Sequence, residues 1–419
     1  MASASRVYLS PRVAPLLVLG FASGLPLALT SGALQAWATV ENVSLQNIGF
    51  LTLIGTAYTL KFLWAPLVDR YAPPWLGRRR GWVLLTQLLL AATIAGMGLM
   101  SPSKHLFWLS MLAVLVGFLS ATQDIAFDAY STDVLRKDER AAGAAIKVLG
   151  YRLAMIVSGG LALILADRWL GWHNTYFLMG GLMALCAIAT VLAPEPEEVA
   201  RAPRSLALAV VEPLREFFSR KGAVTLLLLI VLYKLGDAFA GALSTTFLLR
   251  GAGFGLSEVG AVNKVFGLAA TIVGALAGGA LMARMGLYRS LMAFGLFQAV
   301  SNFGYWVLAV LGEPNLPFMA LVVAVENLCG GLGTAAFVAL LMALCRQEFS
   351  ATQFALLSAL SAIGRTYLAG PLTPPLVETL GWPAFFATTV VIAFPGLALL
   401  WWRRGEIRAL DAPERQSQG

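Results

Sequence analysis

Charge is scarce in this chain, and so are the residues that do most catalysis. Only 12% of its 419 residues are charged, and it holds two His and three Cys. A soluble globular domain carries about 25% charged side chains, so an aqueous fold is excluded. His105 and His173 sit at predicted helix edges, and Cys186, Cys329 and Cys345 lie in apolar context without CxxC spacing. That spacing builds no metal or redox site, and the thiols read as buried and free. No cofactor is expected. The net charge of +8 comes with no basic domain, which removes nucleic acid as a partner. The longest polar stretch, 194–221, is too short to fold as a separate aqueous domain. The first apolar run lacks an Ala-x-Ala cleavage pattern and is too long for a signal-peptide core, so it reads as an uncleaved helix.

What fills the chain is apolar. Hydrophobic residues make up 58% of it, and its mean hydropathy is +0.76. A bilayer core of about 30 Å needs about 20 helical residues. Runs of that length lie at 13–37, 47–68, 81–100, 105–133, 140–166, 172–193, 222–249, 257–281, 288–311, 315–344, 349–372 and 381–402. The chain therefore reads as an all-α membrane protein with twelve transmembrane spans, partnered by the lipid bilayer. Of its 30 Lys and Arg, 21 fall in loops on the side of the N-terminus and only Lys104, Arg168 and Arg250 in loops on the other. Lys and Arg concentrate on the cytoplasmic side, so both termini are expected there. Trp37, Trp172, Trp401 and Trp402 are among the Trp near predicted span ends, as an interfacial belt requires.

The polar stretch divides the spans six and six. Expected are an N-terminal six-helix bundle over 1–193, a cytoplasmic linker over 194–221, and a C-terminal bundle with a short cytoplasmic tail over 222–419. Signs of an internal repeat support this. Asp69-Arg70 and Gly77-Arg78-Arg79-Arg80 follow span 2, while Gly279 to Arg284, then Gly286 and Arg289, follow span 8. Span 5 carries Gly150-Tyr151-Arg152, and span 11 carries Gly364-Arg365.

Ten charged side chains lie inside the apolar runs: Lys61, Asp124, Asp128, Lys147, Arg152, Lys234, Asp237, Lys264, Glu326 and Arg365. A charge at the bilayer centre costs about 2.5–3.5 kcal/mol on insertion scales, so it faces a bundle interior or an aqueous path. A solute pathway is the leading expectation. The ten occupy spans 2, 4, 5, 7, 8, 10 and 11, and none lies on 3, 6, 9 or 12.

Several motifs make the reading specific. Asp69-Arg70 followed by Gly77-Arg78-Arg79-Arg80 resembles the signature loop of the major facilitator superfamily, with Tyr71 to Leu76 inserted. With Ala121-Thr-Gln-Asp-Ile-Ala-Phe-Asp-Ala-Tyr-Ser-Thr-Asp133, Val148 to Ala154, Tyr233 to Phe239 and Ala351 to Ser361, the chain resembles AmpG-type anhydromuropeptide permeases. The likeness runs from span 1 to span 12. It implies a twelve-helix facilitator fold of two pseudo-symmetric six-helix bundles, in which spans 3, 6, 9 and 12 face lipid. It also implies a Gram-negative inner-membrane location and, as partners, a muropeptide and protons. The transporter is expected to act as a monomer.

The residues themselves leave roles open. Asp124 and Asp128 are four apart, on one face of span 4. Desolvation and mutual repulsion favour their protonated forms, so they are candidate proton carriers, unless one is an ion-paired strut to Lys61, Lys147 or Arg152. Gln123 offers a donor and an acceptor to a sugar or peptide group, or to a neighbouring helix. Lys234 and Asp237, three apart, either neutralise each other or separate to meet substrate. Lys61, Lys147, Tyr151, Arg152, Lys264, Glu326, Asn327 and Arg365 complete the candidate substrate path. Six bases against four acids suit an anionic solute, and Arg152 and Arg365 are the candidates for a bidentate carboxylate grip. The resemblance implies that Asp69, Arg70, Arg78 and Asp133 form a gating latch. Gly20, Gly24, Gly274 and Gly278 are expected to let helices pack closely.

The function expected is proton-driven import of anhydromuropeptides for cell-wall recycling. The alternative is a carrier of another anionic metabolite such as acetyl-coenzyme A. A membrane enzyme fits less well, lacking metal spacing and a loop to house an acceptor, and a sensor would need a signalling domain.

Overall fold

A computed structural model of the chain describes residues 10–71, 73–136, 139–196, 215–220, 222–345 and 350–410. Side chains are outside the described set at Pro66, Asp69, Arg140, Ala141, Lys264, Ser350, Ala351, Thr352 and Ala355. Among the described residues the fold is all helical. Ten helices among the described residues are long and apolar enough to cross a membrane.

The remaining spans are present in broken form. We number the helices α1 (Pro15–Val40), α3 (Arg78–Met97), α4 (Pro102–Val134), α5 (Arg140 to Arg168), α6 (Gly171–Leu192), α7 (Ala223–Gly251), α8 (Leu256–Met285), α9 (Leu287–Leu311) and α10 (Leu316–Ala343). Between α1 and α3, α2 runs as Leu45–Phe50, Thr56–Leu60 and Ala65–Arg70, joined by 3-10 turns. Hydropathy anticipates this span but not its breaks. At the other end, a 47-residue helical stretch, Leu356–Trp402, is interrupted at Gly381, whose φ of 75° is open to glycine at little cost. At about 1.5 Å per residue this stretch is more than twice the bilayer core. It is two spans, α11 (350–380) and α12 (382–402), and a short α13 (Arg404–Ala409) follows.

Irregular turns are concentrated in a subset of spans. Five-residue π turns occur in α1 (Leu29–Ala33), α5 (Val157–Leu161) and α7 (Phe247–Gly251), and longer ones in α8 (Val259–Phe266) and α11 (Gly364–Ala369). With the broken α2, they fall in spans 1, 2 and 5 and in spans 7, 8 and 11, which are the same places six spans later.

The chain forms two compact units. Unit 1 comprises Met1–Ser44, Ile54–Arg204 and Leu256–Ala261. One of its cores gathers Leu16 and Leu19 of α1, Val68 of α2, Val83 of α3 and Ala126, Phe127, Tyr130 and Val134 of α4. Within it α1 crosses α5 on small residues. A Cβ at Gly24 would lie 2.6 Å from the Tyr151 carbonyl oxygen, and one at Gly20 would meet the carbonyl of Lys147. The close approach that the small-xxx-small spacing predicts is there.

Unit 2 comprises Leu45–Leu53, Ser205–Gly255 and Val262–Gly419. Its main core joins Leu229, Ile230 and Tyr233 of α7, Leu291 and Phe294 of α9, Ala336, Phe337 and Leu340 of α10, and Leu400 of α12. Gly274 and Gly278 of α8 meet the backbone of α10 at Leu328 and Leu332 in the same way. The outer faces of α6, α9 and α12 carry exposed Leu185, Ile188, Phe297, Val300, Val391 and Phe394, the side chains a lipid-facing helix presents.

Candidate functional site

The tight crossing of α1 on α5 sets the geometry of the polar centre of unit 1. Ser23 lies between the two crossing glycines, and its hydroxyl donates to Asp124 Oδ1 of α4 at 2.5 Å. One helical turn further along α4, Asp128 pairs with Lys147 Nζ of α5 at 2.5 Å. Lys147 also donates to Ser131 at 3.2 Å and stands 4.7 Å from the centre of the Phe127 ring. The two acids that the sequence makes equivalent are therefore held differently. Asp128 is 57% exposed and ion-paired, whereas Asp124 is half-buried and has Ser23 as its hydrogen-bond donor.

Around them, neither Lys61 nor Arg152 is within ion-pair distance of an acid among the described residues, although the charge of Lys61 acts on Asp124, and Arg152 approaches the sulfur of Met155 at 3.9 Å. Tyr151 is half-buried. Gln123 is 1% exposed, and neither its amide oxygen nor its amide nitrogen has a partner among the described residues. An unsatisfied buried amide costs about 1–3 kcal/mol, which makes this residue a strained polar point in the bundle.

In unit 2, α7 is interrupted at Lys234, between Tyr233 and Leu235. Its Nζ lies 3.7 Å from Asp237, 3.3 Å from the Thr334 hydroxyl and 5.9 Å from the centre of the Phe337 ring. Asn327 of α10 donates to Glu326 at 2.7 Å and accepts from Thr271 of α8 at 3.0 Å. Arg365 is exposed, with no acid partner among the described residues. The side chain of Lys264 lies outside the described residues. Asn302 of α9 is 1% exposed, and neither of its amide atoms has a partner among the described residues.

At the end of unit 1 where α2, α3 and α4 meet, Asp133 accepts from Arg79 Nε at 3.0 Å, with side chains 11% and 8% exposed. Arg79 was not among the candidates singled out from sequence. Three consecutive Arg point about 100° apart around a helix, and composition alone does not say which turns inward. Arg78 begins α3, Arg70 is exposed, and Asp69's side chain lies outside the described residues. Arg80 also reaches the end of α6, pairing with Glu195 and donating to the Ala193 carbonyl at 2.5 Å. At the opposite ends of the spans, Glu41 accepts from Trp37 Nε1 at 2.7 Å, Ser101 Oγ at 2.8 Å and Ser103 N at 2.9 Å. Burial pushes the Glu41 carboxyl up, but the donors from Ser103, Ser101 and Trp37 outweigh it and hold the group below its usual range.

Helices broken at polar points, with charged side chains along the apolar spans, define a polytopic solute carrier. The sequence model of the Major Facilitator Superfamily matches residues 16–367. The chain belongs to this superfamily. It is a multi-pass membrane transporter and not an enzyme. It is 61% identical over 395 residues to the anhydromuropeptide permease of Escherichia coli K12, covering 94% of this chain and 80% of that protein. Among solved structures, it resembles a bacterial homologue of the human lysosomal transporter Spinster in an inward-facing, unoccupied conformation. The TM-score is 0.74 at 16% identity, over 98% of each chain. A POT family transporter in complex with a thioalcohol-conjugated peptide gives a TM-score of 0.72 at 14% identity, over 94% of this chain and 96% of that one. At these identities the solved structures establish the fold alone.

Proposed function

We propose that the chain is a proton-coupled importer of anhydromuropeptides, working by alternating access in the inner membrane of a Gram-negative bacterium. The observation that carries this reading is the 61% identity to an anhydromuropeptide permease over 94% of the chain. Both termini lie in the cytoplasm on this reading, since 21 of the 30 Lys and Arg are on that side. The transporter works as a monomer, with six-helix halves over 1–193 and 222–419 joined by the linker 194–221.

The side-chain pairings favour a division of labour. Asp128 and Lys147 neutralise each other, as do Lys234 and Asp237. Asp124 then carries the exchanging proton, because a carboxyl held by a single hydroxyl can lose and regain a proton without breaking an ion pair. Lys61, Arg152 and Arg365 supply positive charge for the carboxylates of a peptide-bearing substrate, with Arg152 and Arg365 as bidentate partners. Gln123, with its two unpartnered amide atoms, hydrogen-bonds the sugar or peptide of the solute. Tyr151, Lys264, Glu326 and Asn327 are further substrate contacts on this reading. Asp69, Arg70, Arg78 and Asp133, with Arg79 added, form the cytoplasmic latch. An acetyl-coenzyme A carrier is disfavoured, since its several phosphates call for more bases than remain unpaired.

The test is uptake of labelled anhydromuropeptide into proteoliposomes with and without an imposed proton gradient. The parent accumulates solute only with the gradient, and Asp124→Asn exchanges solute across the membrane without accumulating it. Gradient-independent uptake by the parent refutes proton coupling, and transport of acetyl-coenzyme A in place of the muropeptide refutes the substrate. Full accumulation by Asp124→Asn moves the proton to another group.

A further inference from the structure

Asp124 carries the proton on the reading just given, and among the described residues only Ser23 donates a hydrogen bond to it. An ionised carboxylate has about four acceptor positions, so a single hydroxyl leaves the anion short of donors. Candidates stand beside it on α2 and α4. Two contacts fix these helices against each other. A Cβ at Gly117 would meet Ile54 Cγ2 at 3.0 Å and Ala57 Cβ at 3.9 Å, and further along Trp64 Nε1 donates to Thr122 Oγ1 at 3.0 Å. At this crossing lie Tyr58 of α2 and Ser120 of α4, the latter one helical turn before Asp124 and on its face of the helix. The Tyr58 hydroxyl faces Ser120, and the charge of Asp124 acts on it. Both hydroxyls are buried, and neither completes a hydrogen bond with any described residue.

A buried hydroxyl without a partner costs stability. Two of them side by side, next to a carboxylate that lacks donors, form a set that becomes satisfied once the carboxylate is ionised and they turn to it. The backbone permits the turn. Tyr58 sits in the short helical piece Thr56–Leu60, between the 3-10 turns Leu51–Gly55 and Lys61–Leu63, so its side chain can be re-aimed without bending a continuous helix. The other groups that face Asp124 are otherwise engaged or do not bond it. Lys61 of α2, Asp128 of α4 and Lys147 of α5 act on it through charge, and Lys147 is tied to Asp128. Tyr151 of α5 faces Asp128 and Arg152 as well as Asp124.

We infer that Tyr58, backed by Ser120, is a positioning residue for Asp124: its hydroxyl turns to donate to the carboxylate when the proton leaves for water, and turns back to Ser120 when a proton is taken up. Tyr58 keeps its own proton throughout. The inference rests on Asp124 being the proton carrier.

The test is exchange of labelled anhydromuropeptide by the full chain in proteoliposomes, at equal pH on both faces and scanned over pH. Loading requires a protonated Asp124, so exchange falls as pH rises, through a midpoint that reports this carboxyl. Tyr58→Phe keeps the ring and removes a donor to the anion, and it should move the midpoint upward by about one pH unit, the size of one hydrogen bond to a charged group. Gradient-driven net uptake should fall, because the proton is released less readily, while the thermal midpoint does not fall. Ser120→Ala should shift the profile in the same direction by less, and it decides by the same criterion if Tyr58→Phe fails to insert. Asp124→Asn should flatten the profile, and adding Tyr58→Phe to it should change nothing more. A midpoint left in place by Tyr58→Phe, where Asp124→Asn does flatten the profile, overturns this inference alone. A pH profile that Asp124→Asn leaves intact overturns the proton assignment and this inference with it.

Discussion

Replacing Arg79 by methionine strands the Asp133 carboxylate where water hardly reaches it. The pair is 3.0 Å apart, with side chains 8% and 11% exposed. At an effective dielectric constant of about 20, charges at that distance attract by about 5 kcal/mol. Desolvating two ions consumes most of this gain, so the intact pair contributes little net stability, whereas an unmatched buried charge costs about 3–5 kcal/mol. Arg79→Met and Asp133→Leu are each expected to lower the unfolding free energy by about that amount, while the double variant loses only about 1 kcal/mol. Unfolding in detergent, followed by tryptophan fluorescence across a double-mutant cycle, reads the coupling directly. Glu195→Gln is the comparison. That acid is 41% exposed opposite Arg80, so its loss is expected to cost no more than about 1 kcal/mol. If the two single losses at Arg79 and Asp133 simply add, the pair is not a coupled unit, and its place in a latch is untenable.

Other perturbations follow from the geometry. Gly24→Val drives a branched side chain into the Tyr151 carbonyl, 2.6 Å from where its Cβ falls, so α1 and α5 must part. A loss of about 1–3 kcal/mol in thermal unfolding is expected, and an unchanged midpoint contradicts the crossing. Gln123→Met replaces a buried amide that has no partner, and should raise stability by about 1–3 kcal/mol while muropeptide uptake falls; a variant that transports normally removes Gln123 from the path. Glu41 sets a pH dependence. Its folded-state carboxyl is held below its unfolded value, so its stabilisation is complete above the unfolded pKa of about 4.3 and is lost as pH falls through the folded value. Thermal scans between neutral pH and the acid range should show a decline that Glu41→Gln lacks, and parallel curves for both proteins would contradict the assignment.

Hydropathy located the spans because the bilayer sets one length and charge inside it is costly. That same cost made spans 3, 6, 9 and 12 legible as the charge-free set. Where the sequence misled, the missing information was geometric. The run 47–68 is apolar enough to span, but hydropathy is blind to hydrogen-bond pattern, and α2 is broken by 3-10 turns at Leu51–Gly55 and Lys61–Leu63. Asp124 and Asp128 look alike at spacing four, and only the position of α5 gives Lys147 to one and leaves the other to Ser23. Ser23 stands between Gly20 and Gly24, where the spacing of the glycines predicts close packing and says nothing of a serine donor. Glu41 is not legible in the sequence because its partners Ser101 and Ser103 are 60 and 62 residues away.

The π turns and 3-10 breaks divide the helices into two mechanical kinds. In α3, α4 beyond His105, α6, α9, α10 and α12 the hydrogen-bond ladder runs without π or 3-10 turns, and such a helix behaves as a stiff stave. In α1, α2, α5, α7, α8 and α11 the ladder changes register part-way, and a helix pivots most easily at such a point. Compliance is thus built into the backbone at three places in each set of six spans, independently of any side chain. Substitutions elsewhere can weaken or strengthen the staves without removing the joints, so the capacity to flex should tolerate far more sequence change than the residues that bind the solute.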